Sequence, residues 1–362
     1  MDHAALARWR LANQGVGPSD VTTPSHVVGR MAGVQSQDLL PSAWSVAQRA
    51  PGLVRQQVAD ELDAGRVLRT HVLRPTWHYV VPADIRWLLR ATAERVQRAS
   101  ASGFRQWGLD EDTRATARRL VAANLADGSH RTRRELATVL AAGGLPLAGN
   151  ALSGALIDAE LAGVVCSGTS RGGQQTYALL DERAPERDGR SREESLAELA
   201  RRYYATRGPA TVHDLAGWAS LTLTEARRAT AAVTGELASF EADDLTWWHA
   251  PGEPPPAPRR RRIDLVQAYD ELVMSYARTR DVVTAGVPLA DRSPRPATHW
   301  LLVDGRAAGR WSYRRARRGG VSRLLVRPLR PWTADERAGI DAAVQAFGCF
   351  LAADLTWTEV AD

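Results

Sequence analysis

The triplet Gln35-Ser36-Gln37 lies between two helical patterns in a chain of 362 residues that contains no lysine. A glutamine amide does not titrate near neutrality, so neither residue can serve as a general base. Two amides can still hold a water by hydrogen bonds and turn their dipoles toward a developing cation. Such chemistry is adequate only where the leaving group is already activated. An N7-alkylated guanine in DNA meets that condition, because the base carries positive charge before any enzyme acts. Residues two apart share a face when extended and lie about 200° apart when helical. A pair working on one water therefore needs a non-helical backbone, which Gly33 and Pro41 permit.

All 47 basic side chains are arginine. G+C-rich coding sequence explains such an excess, yet the chemical consequence stands: no side-chain amine is present to form a Schiff base. A glycosylase built on this chain would attack with water and have no lyase activity. The phosphate-binding lysine of a P-loop is missing too. A net charge of +6 favours a polyanionic partner. Nine arginines against one acid, Asp304, fall between Leu301 and Arg330. Among them Arg314, Arg315, Arg317 and Arg318 are candidates to line a DNA channel, each neutralised phosphate steepening the salt dependence by roughly one log–log unit. Cys166 and Cys349 stand far apart without metal-ligand spacing, which argues against structural zinc and a disulfide framework. No run approaches the ~18 apolar residues of a membrane span, and the first residues lack a signal-peptide core. The expectation is a cytoplasmic, nucleoid-associated monomer with no cofactor, no metal and no membrane partner.

The elements that must position these residues follow a repeating order. After the cap Thr23-Pro24-Ser25, Val27, Val28, Met31 and Val34 recur at helical spacing. Pro41 opens a second helix to Ala47, a third spans Val54 to Leu62, and Val67 to Val81 alternates as two strands around Arg74-Pro75. That places Arg74 at an exposed hairpin tip, with Thr76 and His78 sharing one face of the wing. Helices followed by a two-stranded wing describe a winged helix-turn-helix. The order recurs from the capping box Thr132 to Glu135 through a helix over Asn150 to Leu161 and a hairpin whose tip carries Arg171. It recurs again from the caps Thr211 and Thr222 to the strand pair Glu236 to Ala250. A charged linker (181–194) and a proline-rich, then basic one (251–262) divide the copies. Beyond them, Asp304-Gly305 signals a hairpin and Thr333 to Glu336 caps an amphipathic helix. Trp44, Trp87 and Trp218 are expected in the core. The fold class is thus α+β: three tandem winged helix-turn-helix units (1–120, 121–190, 191–255) and a C-terminal β-rich domain (256–362).

The segments RMAGVQSQD (Arg30 to Asp38), LRPTWHYV (Leu73 to Val80), AELAGVVCSG (Ala159 to Gly168), RRYYATRGPATVHDLAGW (Arg201 to Trp218) and LLVDGRAAGRW (Leu301 to Trp311) resemble one family. This is the HTH_42 winged-helix superfamily that includes the AlkZ and YcaQ DNA glycosylases. The resemblance implies a C-shaped set of winged helices around duplex DNA. It also implies a monofunctional DNA glycosylase that hydrolyses the N-glycosidic bond of alkylated purines, bulky N7-guanine adducts or crosslinks above all, in the setting of genotoxin self-resistance. AlkZ-like members carry Gln-x-Gln, matched here by Gln35 and Gln37, while YcaQ-like members carry aspartate at the second position. Ser36 departs from the apolar middle residue of that motif. On this mapping Gln37 orients the attacking water at C1′ and Gln35 stabilises the cationic sugar. Arg74, Thr76, His78 and Arg171 are then expected beside double-stranded DNA with alkylated bases. The alternative is a non-catalytic winged-helix transcriptional regulator, against which the helix Asn150 to Leu161 offers no arginine and few base-reading side chains.

Overall fold

The computed structural model describes residues 2–17, 19–186, 189–258, 260–288, 292, 298–316 and 322–361. Helix α1 (His3–Asn13) precedes α2 (Pro24–Met31), which starts where Pro24 fits the first turn and the Thr23 hydroxyl accepts from His26 N at 3.3 Å. Val27, Val28 and Met31 face inward as their spacing predicts, and Val34 carries the buried line into β1 (Val34–Gln35). Helices α3 (Leu39–Ala47) and α4 (Arg55–Asp63) lead to β2 (Leu68–Val72) and β3 (Arg74–Val80). These strands form an antiparallel sheet in the order β1-β3-β2.

The hairpin turns one residue earlier than Arg74-Pro75. Val72 pairs with Arg74, leaving Leu73 at the tip with φ of 64°. Leu73 is fully buried, its N–H donating to Thr92 Oγ1 at 3.2 Å. Apolar Leu73 draws the tip into the core, so this hairpin offers no exposed wing tip.

The chain continues through α5 (Pro82–Gln106), α6 (Glu111–Leu125), β4 (Arg131–Thr132), α7 (Arg133–Ala142), α8 (Gly149–Leu161), β5 (Val165–Ser167) and β6 (Thr176–Leu179). Thr132 and Glu135 cap α7 reciprocally, as their spacing predicts. Then come α9 (Leu180–Arg183), α10 (Arg192–Arg207), α11 (Val212–Trp218), α12 (Leu223–Ala231) and the hairpin β7 (Ala238–Ala242) with β8 (Leu245–His249). The last stretch holds β9 (Ile263–Val266), α13 (Glu271–Met274), α14 (Asp281–Thr284), β10 (His299–Val303), β11 (Arg306–Arg314), β12 (Ser322–Pro328), α15 (Ala334–Leu351) and β13 (Leu355–Glu359). Its sheet runs β13-β12-β11-β10-β9, with Asp304 (φ 50°) and Gly305 (φ 81°) making the two-residue turn between β10 and β11.

Packing ties distant stretches together. One core joins Leu68, Leu73 and Trp87 to Tyr203, Trp218 and Tyr276. Another joins Val28 and Trp44 to Leu265, Trp311 and Phe347. The Trp44 indole N–H donates to Leu265 O at 2.6 Å, and its ring meets Phe347 edge-on at 5.0 Å. Trp44, Trp87 and Trp218 are all core residues, as expected.

His299 adds a pH dependence. Burial and the nearby Arg310 push its imidazole down to about 4, and its Nδ1 accepts from Ala268 N at 3.1 Å. The folded value lies below the unfolded one, so the stability it confers is complete above pH ~6.5 and is lost as pH falls through ~4. The loss should reach about 3 kcal/mol at the acid end. Urea midpoints at pH 7 and pH 4.5 check this, and equal midpoints would contradict it.

Candidate active site

Gln35 and Gln37 lie on non-helical backbone, and their environments differ. Gln35 is 2 % exposed, whereas Gln37 is open to solvent. The approach to β1 is tight: Ala32 is left-handed at φ 51°, and Gly33 adopts φ 128° where a Cβ would meet Leu73 Cδ1 at 3.1 Å. Gln35 pairs with His78 across the sheet, and Ser36 N donates to Trp77 O at 2.7 Å.

Three guanidiniums and one carboxylate hold this segment. Arg207, fully buried, donates to Met31 O at 2.8 Å and Gly33 O at 3.0 Å. Arg74 donates to Gln35 Oε1 at 2.9 Å and to Trp218 O at 2.9 Å. Arg69 lies 4.2 Å over the Trp77 ring and holds Ser36 O (3.0 and 2.9 Å) and Gln37 O (3.2 Å). Glu271, at the start of α13, accepts the Gln35 N–H at 3.0 Å. It also accepts from Arg74 (3.4 Å), Arg207 (3.1 and 3.3 Å), Trp218 Nε1 (2.8 Å) and Ser275 Oγ (2.7 Å). Burial alone would raise this carboxyl, but the Arg207 and Arg74 charges and the Ser275 hydrogen bond outweigh it and hold it well below the usual carboxylate range. Next to it, Asp270 binds the buried Arg49 at 2.8 Å and Ser45 Oγ at 2.5 Å.

A guanidinium has only donors, so the Gln35 atom facing Arg74 is the carbonyl oxygen. Arg74 occupies one of the two lone pairs of that oxygen and so fixes the orientation of the Gln35 amide. The second lone pair of Oε1 and the Nε2 hydrogens remain for other partners.

A family model described as "DNA glycosylase AlkZ-like" matches residues 28–350. The chain belongs to the AlkZ-like DNA glycosylase family. An "Interstrand DNA cross-link repair glycosylase" of Streptomyces sahachiroi is 26% identical over 326 residues, covering 84% of this chain and 85% of the relative. The solved structure of the Streptomyces sahachiroi DNA glycosylase AlkZ superposes with a TM-score of 0.80 at 21% identity, covering 99% of this chain and 100% of that one. The fold is thus the mixed helix-and-sheet fold of AlkZ.

In this AlkZ-like chain the residues expected at DNA separate into two groups. Arg171 (in the turn after β5), Arg314 and Arg315 are exposed; Arg171 is ion-paired with Glu135. Arg317 and Arg318 lie outside the described residues. Arg74 and His78 are buried and Thr76 is half-buried. Phosphate contact by Arg74 is therefore corrected: its guanidinium turns inward to Gln35, Trp218 and Glu271. His78 is likewise not at the surface. Burial and Arg74 hold its imidazole well below the ordinary histidine value. In the basic run before β9, Arg261 binds Asp304 at 2.6 Å and Arg262 binds Asp264 at 2.7 Å, while Arg259 lies outside the described residues. Glu271, Arg69 and Arg207 went unread in the sequence. The available signal was Asp270-Glu271, two adjacent acids inside the apolar run LVQAYDELVMSY (Leu265 to Tyr276).

Proposed function

We propose that the chain is a monofunctional DNA glycosylase that hydrolyses the N-glycosidic bond of alkylated purines in duplex DNA. Its substrate class would be bulky N7-guanine adducts and crosslinked guanines, and its role genotoxin self-resistance. The carrying observation is the asymmetry of the Gln-x-Gln segment: Arg69 and Glu271 clamp its backbone, Arg207 clamps the approach at Met31 and Gly33, and Arg74 holds the Gln35 side chain, while the Gln37 side chain is left open. Rigid backbone under one free amide suits the positioning of a water, and has no use in sequence readout. The Streptomyces sahachiroi relative, a crosslink repair glycosylase by name, supports the same substrate class.

No strong acid is needed, because an N7-alkylguanine leaves as a neutral base. No lysine is present to capture the sugar aldehyde, so the product is an intact abasic site. Arg171, Arg314 and Arg315 supply phosphate contacts to a single protein molecule on the duplex.

The test is base release from duplexes carrying one small and one bulky N7-alkylguanine, with borohydride trapping alongside. Release without a trapped adduct is expected, faster for the bulky lesion. No release together with tight binding of undamaged duplex would replace this reading by the DNA-binding regulator.

A further inference from the structure

His78 and Gln35 are direct cross-strand partners, and Thr70 stands opposite His78 on the other side. Directly opposed residues of an antiparallel sheet project to the same face, with Cβ atoms about 5 Å apart. Arg74 and Thr76, alternating with His78 along β3, share that face. The face is buried and polar, and part of it is unpaired. His78 Nε2, Thr70 Oγ1 and Thr76 Oγ1 have no hydrogen-bond partner among the described residues. Buried polar atoms without partners are rare in folded proteins and concentrate where chemistry or water uses them.

The tautomer follows from the geometry. His78 Nδ1 lies 2.9 Å from Thr76 O, and a carbonyl oxygen only accepts, so Nδ1 carries the hydrogen. Nε2 is then a bare lone pair. Gln35 is oriented by Arg74, which binds its oxygen and leaves Nε2–H2 to donate. A donor and an acceptor thus share one sheet face on two adjacent strands, in the segment that carries the open Gln37.

We propose that His78 is a catalytic residue of this site, whose Nε2 accepts a proton from the attacking water that the Gln35 amide holds by donation. The inference rests on the glycosylase reading above. As the C1′–N9 bond breaks, its electron pair goes to the departing base and cancels the positive charge of the N7-alkylguanine. The water oxygen bonds to C1′ and keeps one hydrogen. Its other proton passes to His78 Nε2 and from there to solvent, restoring the neutral imidazole. Bonding to C1′ makes that proton strongly acidic, so a weakly basic acceptor suffices. The charged and titratable groups around the ring are Arg74, Glu271 and His71, and Arg74 together with burial keeps the ring unprotonated at neutral pH. His78 does not need to reach DNA, since it touches the substrate only through the water.

Two substitutions separate this role from a structural one. In His78→Asn the amide can replace Nδ1–H toward Thr76 O but lacks the distal acceptor. In His78→Gln the amide reaches the Nε2 position but cannot replace Nδ1–H. Single-turnover base release and duplex affinity are measured for both. Because neither amide accepts a proton, both variants are expected to release base more slowly by on the order of 10²-fold at unchanged affinity, His78→Asn included although it keeps the bond to Thr76 O. Release by His78→Asn within about tenfold of the native protein, with the loss confined to His78→Gln, makes the role structural and overturns the proposal. A native protein that releases no base overturns the glycosylase reading itself.

Discussion

Replacing Glu271 by alanine is expected to leave little folded protein at 37 °C. The carboxylate is fully buried and faces Arg74 and Arg207, which are themselves buried. Removing one partner of a buried ion pair costs about 3–5 kcal/mol, because the remaining charge stays unsolvated. Here one deletion strands two guanidiniums, and it also orphans the Trp218 indole, the Ser275 hydroxyl and the Gln35 amide. Against a total stability of roughly 5–15 kcal/mol, that is most of the margin. Glu271→Gln retains the shape and some acceptors without the charge, so it should fall between the two. Soluble yield and urea midpoints decide the matter. A Glu271→Ala midpoint within error of the native one would mean that the arginines find other partners.

Alanine at both Gln35 and Gln37 should abolish base release while duplex affinity remains nearly native. The two positions contribute differently. Gln37 is exposed, so Gln37→Ala should change stability by less than about 0.5 kcal/mol. A loss of release on the order of 10²-fold or more is then a loss of positioning. Gln35→Ala leaves an Arg74 N–H without its acceptor and should cost about 1–3 kcal/mol in addition to the lost rate. Single-turnover release and fluorescence anisotropy on the same lesion duplex separate these effects. Weakened binding with native release from the bound complex would make Gln37 a DNA contact and remove it from the chemistry.

What the sequence conveys well is local. Thr132, Thr211, Thr222 and Thr333 each cap a helix with an acid three residues on, and each forms that box in the fold. The Asp304-Gly305 turn and the non-helical Gln-x-Gln backbone are equally local, and both are where their residue types put them. The failures share a cause. Arg74 looked like a basic wing tip because Arg74-Pro75 reads as a turn, whereas the apolar Leu73 takes the left-handed position and buries the hairpin end. Its partner, Glu271, is 197 residues away, and no short-range pattern announces a pairing across that distance. Arg69 and Arg207 were hidden among many arginines of identical type. Only burial distinguishes a structural guanidinium from one that meets phosphate.

The bond from Gln35 N to Glu271 spans 236 residues, and it has a consequence for the chain's birth. A ribosome adding about 5–20 residues per second needs some ten seconds or more to move from one partner to the other. During that interval Arg74 has not met its carboxylate, and the Gln35 N–H lacks its acceptor. The protein therefore cannot engage its substrate as a growing chain. Repair capacity arrives late, once Glu271 has emerged.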